Sequence, residues 1–259
     1  MKIEEFEEVL QKDLAWRKKE VSDLWLICQE KKIEVILKSF LLMLYAHWEG
    51  YIKQSSKSYL IFVSEHKHKH QELALNFKAI TLKGIIQSCI KDSESFSLAN
   101  EVQLLNKLID KEKAKFSVNK NFHKDKDKTI IDTQSNLKPK VFNGICKTLG
   151  LEYKTCLKIR EHYLNEQLIN NRNAIGHGSQ LDLSLIDDFD LTLESLARLK
   201  DVIFAIIDSF KDDLLEYATE KYYLAENAEN KRAYDEKASQ ELEKIFGDIE
   251  SRYSSQDFK

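Results

Sequence analysis

Apolar residues along this chain recur at spacings of three and four, and its strongly periodic segments follow the turn of an α-helix rather than the alternation of a strand. The pattern predicts a first helix over about residues 2–30 and a second over about 32–63. In the second, Ile33, Leu37, Phe40, Leu41, Leu44, Trp48 and Ile52 form a stripe, and Leu42 and Met43 make it apolar almost all round, the mark of a central helix. Shorter helices are predicted near 71–91 and 97–115, followed by an irregular stretch to Lys140 and a helix to about Leu149. From about Cys156, helical spacing puts Leu157, Leu164, Leu168 and Ile175 on one face, and Leu196, Leu199, Ile203, Ile206, Phe210 and Leu214 define a long core helix. A narrower stripe of Tyr234, Ala238, Leu242, Ile245, Ile249 and Tyr253 runs through an acidic tail. It needs a surface to dock on, whether the chain's own core, a second copy or a partner.

Composition agrees with this picture. With 259 residues, 42% of them hydrophobic, one proline and seven glycines, the chain can bury a large core and contains few helix breakers. The fold class is all-α, with a helical domain over 1–217 and a helical extension over 218–259. Cys28, Cys89, Cys146 and Cys156 lack CxxC spacing, and the acidic start MKIEEFEEVL is unlike a signal peptide. The longest apolar run, Phe40 to Ala46, is far short of the ~20 residues that cross a bilayer. A cytoplasmic protein with reduced thiols and no membrane span is expected.

Candidate chemistry concentrates at Arg172-Asn173-Ala174-Ile175-Gly176-His177-Gly178. Histidine titrates near neutrality and suits proton transfer to or from a ribose hydroxyl. Arginine presents a planar, always charged fork to phosphate oxygens. On an ideal helix Asn173 and His177 point away from the apolar stripe, toward solvent or another subunit, and Arg172 lies about 140° from His177, so one helix does not pair them face to face, and a twofold dimer could juxtapose the two copies. The bland reading is a cationic helix end closed by glycine.

RNAIGH fits the Arg-x4-His signature of the HEPN superfamily, and LLMLYAHWEGYIK (41–53) and DTQSNLKPKVFNGICKTLGLEY (132–153) resemble the blocks that accompany NRNAIGHG in its MAE-type HEPN-like nuclease family. That resemblance implies an antiparallel helical bundle and a metal-independent ribonuclease of bacterial toxin or defence systems, working as a homodimer without cofactor. It assigns Arg172, His177 and Asn173 to catalysis. It makes Glu49 an acidic position of unassigned role, and an antitoxin or other defence partner an expected companion. Family toxins silenced by adenylylation carry a tyrosine two residues after the histidine, where this chain has Ser179.

Further candidate residues lie outside the motif. His47 falls on the apolar face of its helix, which favours a core histidine bonded to a carbonyl over a supporting role at the site. Glu49 projects toward Lys38 and Lys53, so a pair with Lys53 competes with any role at the site. Residues 111–160 carry 13 Lys/Arg against 5 Asp/Glu in a chain of net charge −3. Within them, Lys113, Lys115, Lys120, Lys124, Lys126 and Lys128 form a candidate RNA track, with Phe116, Phe122 and His123 available to stack on bases. A solvated lysine loop is the competing view. His66, His68 and His70 lack a convincing third ligand, so no metal is expected and a solvated helix end is preferred. The readings from other classes are an RNA- or nucleotide-binding module that does not cut, and a protein-interaction component.

Overall fold

The structure is a computed structural model that describes residues 1–90, 99–119, 121–176 and 191–254. All regular elements among these residues are helical. They are α1 (Ile3–Lys31), α2 (Glu34–Glu65), a 3-10 turn (His70–Glu72), α3 (Leu75–Ile90), α4 (Ala99–Glu112), α5 (Pro139–Leu149), α6 (Thr155–Ile159), α7 (Glu161–Leu164), a π-helical segment (Asn165–Asn170), α8 (Asn171–Gly176), α9 (Leu193–Thr219), a second 3-10 turn (Ala225–Asn227) and α10 (Ala228–Ser254). Strand-like pairing among the described residues is confined to two isolated bridges, Lys69 with Lys115 and Leu73 with Leu224.

Local chemistry sets the helix ends. Glu5 reaches back to the Lys2 N–H at the start of α1 (2.9 Å), and Thr192 and Ser195 exchange hydrogen bonds of 3.1 Å at the start of α9. The single proline opens α5, where its missing N–H costs nothing. Gly150 closes α5 at φ 82°, and a Cβ there would lie 2.9 Å from Asn76 Oδ1, so both the backbone and the α3–α5 contact require glycine.

α2 is the central helix, packed against α1, α9, α8 and α5. Its buried Ser55 and Ser56 satisfy their hydroxyls on the carbonyls of Tyr51 and Ile52 one turn back, at 2.6 and 2.5 Å. Ile33, placed on the core stripe from sequence, is half exposed because it is the N-cap rather than a helical position. α10 packs against α9 and α6, so the acidic tail docks on the chain's own core. The residues it buries are Ala238, Leu242, Phe246 and Ile249, with Phe246 taking the place expected for the exposed Ile245. Cys28, Cys146 and Cys156 are buried free thiols. Among the described residues no helix is long and apolar enough to cross a membrane.

Candidate active site

Arg172 and Asn173 open the short α8, and the preceding π-helical turn decides which way they face. A π turn closes hydrogen bonds to the fifth residue instead of the fourth, so everything after it is rotated relative to an ideal α-helical wheel. Leu164 and Leu168 are buried as expected, but so is Asn171, and Asn173 turns inward. This corrects the expectation that Asn173 points to solvent or a second copy: its Oδ1 accepts from Asn136 Nδ2 at 3.0 Å.

The guanidinium of Arg172 is held on two sides. Its Nη1 donates to Asn173 Oδ1 (3.2 Å), and its Cζ stacks 4.8 Å from the ring centroid of Tyr45 on α2. The Tyr45 hydroxyl accepts from the Leu137 N–H at 2.9 Å and approaches Asn136 Oδ1 at 3.4 Å, while Trp48 Nε1 donates to the Leu137 carbonyl at 3.3 Å. Glu49 lies beside the Tyr45 hydroxyl and accepts from Thr133 Oγ1 at 2.5 Å. Burial pushes the Tyr45 phenol well above its ordinary value; the Leu137 N–H opposes this and the Glu49 carboxylate adds to it. Tyr45 is therefore a neutral platform at physiological pH.

Three stretches far apart in sequence thus converge: Tyr45 and Glu49 from the first, Thr133 and Asn136 from the second, Arg172 and Asn173 from the third. Periodicity and charge in the sequence do not single out Tyr45, Thr133 or Asn136. The available signal was their place inside the three blocks. Tyr45 was hidden on a helix apolar almost all round, and Thr133 and Asn136 lay in a segment without periodicity. The competing Glu49–Lys53 pair does not form; Lys53 instead meets Asp125 at 2.6 Å. His177 and Gly178 lie outside the described residues, as does Ser179. A Cβ added at Gly176 would meet no described atom within 4 Å, so no described neighbour requires glycine there.

His47 sits on the α1 side of α2. Arg17 Nη1 donates toward its Nδ1 at 3.5 Å, Glu20 Oε2 lies 3.2 Å from its Nε2, out of line for a good hydrogen bond, and Trp16 meets it edge-on. The expected carbonyl partner is replaced by a charged group on each side of the ring. Burial, reinforced by Arg17 and opposed by Glu20, lowers its pKa. Gly50 permits this arrangement, because a Cβ there would stand 2.6 Å from Arg17 Nη1.

The basic segment is wound onto α2 rather than loose. Lys57 is fully buried and donates to the carbonyls of Lys124 and Asp127, both at 2.7 Å. Lys113, Lys115, Lys124, Lys126 and Lys128 are exposed, while Lys120 is outside the described residues. Phe116 and Phe122 are buried, at 2% and 0% exposure, so their expected availability for base stacking is corrected: they anchor the segment to the core, and Phe122 lies beside the Lys57 ammonium. His70, expected at a solvated helix end, is buried between the Ala114 carbonyl (2.7 Å) and Thr81 Oγ1 (2.6 Å), because α2 ends at Glu65 and a 3-10 turn redirects the chain. Among the described residues no three His, Cys, Asp or Glu side chains are grouped to hold a metal ion.

The helical bundle, with an arginine and its following asparagine fixed against the central helix, agrees with the HEPN class, a class that supports a nuclease or RNA-binding role. The HEPN_MAE_28990-like HEPN family profile matches residues 6–223, and the chain belongs to that family. No curated protein and no solved structure matches it. α10 lies beyond the matched span.

Proposed function

We propose that this protein is a metal-independent endoribonuclease whose site is completed between two copies of the chain. The observation that carries this reading is the preorganised Arg172 guanidinium, stacked on a buried neutral phenol and oriented by Asn173, at the start of an Arg-x4-His motif. A cation fixed before substrate arrives stabilises charge growing on phosphate oxygens without reorganising in the transition state. Arg172 binds the scissile phosphate. His177 removes the proton of the ribose 2'-hydroxyl or protonates the departing 5'-oxygen. The 2'-oxygen forms the new bond to phosphorus as the bond to the 5'-oxygen breaks, leaving a 2',3'-cyclic phosphate and a 5'-hydroxyl. Asn173, itself held by Asn136, positions the guanidinium. The exposed lysines of the 113–128 segment carry the RNA backbone. We extend the reading to a bacterial toxin–antitoxin or anti-phage system in which a partner protein restrains the activity; what supports this is the resemblance of the three sequence blocks to that nuclease family.

The test is cleavage of total cellular RNA in EDTA by the wild type, Arg172→Ala and His177→Ala, with end-group analysis and sedimentation of each. Loss of about a hundredfold or more in both variants, with fold and dimer intact, is expected. A magnesium requirement or 5'-phosphate products would overturn the mechanism. RNA binding without cleavage by the wild type favours a binding module, and dissociation of the dimer by either substitution favours a purely interfacial motif.

A further inference from the structure

A cleft of about 760 Å³ opens between α3, the end of α4, α5 and the segments around 117–119 and 129–130, and none of its lining residues belongs to the Arg172 cluster. Lys83, Lys107, Lys111 and Lys147 line it from three different helices, and no described Asp or Glu does. Some lysines elsewhere pair with acids one helical turn away, as in Lys12–Glu8, Lys19–Asp23 and Lys38–Glu34. Among the described residues Lys83, Lys111 and Lys147 have no ion-pair partner, and Lys83 reaches only the Thr129 carbonyl at 3.5 Å.

Lysines gathered around a cleft that has no Asp or Glu among its described lining residues create a positive potential that attracts polyanions. The wall between them is apolar, built by Ile80, Val118 and Ile130. Its frame is fixed in advance: Asn76 ties α3 to the Thr148 carbonyl at 3.0 Å, and Thr81 is bonded to the buried His70. A preformed cleft of this size falls in the range of small-ligand pockets, about 300–1,000 Å³. Lysines spread over three helices suit several linked phosphates better than one, and the aliphatic wall suits the flat face of a base.

We propose that this cleft binds a nucleoside polyphosphate, either free or as the 5' end of an RNA strand, with the lysines on the phosphates and the isoleucine wall on the base. The site is separate from the Arg172 cluster and does not depend on the nuclease reading.

The test measures binding of ATP and of a short 5'-triphosphorylated RNA by calorimetry, using the full chain in an Arg172→Ala background so that the RNA survives. A Lys111→Glu/Lys147→Glu variant is compared with Lys12→Glu/Lys19→Glu, which makes the same charge change outside the cleft. All four side chains are exposed, and melting curves verify the fold. The expected result is saturable binding of at least one probe, weakened about tenfold or more by the cleft pair alone. ATP binding identifies a free nucleotide as ligand, and RNA binding alone identifies a strand end. Binding of neither probe, or equal loss in both lysine pairs, would overturn the proposal.

Discussion

Tyr45 shows how one side chain serves several purposes at the site. Its ring carries the Arg172 guanidinium, and its hydroxyl satisfies the buried Leu137 N–H and meets the asparagine that orients Asn173. Tyr45→Phe keeps the ring but leaves that N–H without a partner, a loss of about 1–3 kcal/mol. Urea denaturation should show this loss. Under the proposed nuclease reading, RNA cleavage should fall through kcat more than KM, because Arg172 keeps its ring contact while its orienting amide is less restrained. Unchanged stability in Tyr45→Phe would mean that water or another group satisfies Leu137.

At the scale of elements, the long helices were legible because each buries one continuous stripe: α1 and α2 lie within a few residues of their expected spans, and α9 and α10 contain the stripes expected of them. The region from Cys156 to Gly176 was less legible. A wheel assumes constant pitch, and the π turn at Asn165–Asn170 breaks it, so the burial of Leu164 was readable and the direction of Asn173 was not. The aromatic anchors Phe116 and Phe122 were misread for a related reason: in a segment without period, nothing local distinguishes a side chain packed on a helix from one facing solvent. Within the α1–α2 seam, His47 supplies a prediction about pH. Its folded pKa lies below the ordinary value of about 6.5, so the unfolded chain takes up a proton at a pH where the folded chain still refuses it. Its contribution is fully present above about pH 6.5 and is lost as pH falls through the lower, folded value. The charged groups facing the ring are Arg17, Glu20 and Asp13. Urea midpoints between pH 7.5 and 5 should fall more steeply in the wild type than in His47→Gln, and equal slopes would remove His47 as a source of acid sensitivity.

For the whole molecule, the question is whether α10, which lies beyond the family span, is an appendage or part of one cooperative unit. Phe246 is completely buried, and Arg160 at the end of α6 stacks 4.3 Å over its ring while donating to Glu243 (3.0 Å) and Glu250 (2.8 Å) on either side. A second tie joins α10 to α9: buried Lys154 pairs with Asp213, which also accepts from Tyr234 at 3.0 Å. Asp213 is pushed upward by burial, and the Lys154 ammonium draws it back toward the charged form. Removing the Phe246 side chain leaves a cavity at a closed seam, and a Phe→Ala change of this kind costs about 3–5 kcal/mol. The three tryptophans, Trp16, Trp25 and Trp48, all lie on α1 and α2, so their fluorescence reports the core without sampling α10 directly. If α10 folds as one unit with the bundle, Phe246→Ala shifts the urea midpoint seen by tryptophan fluorescence together with that seen by far-UV circular dichroism. If α10 is an appendage, circular dichroism gains an early transition and the tryptophan midpoint stays in place. The shared core and the two polar ties lead us to expect the coincident shift.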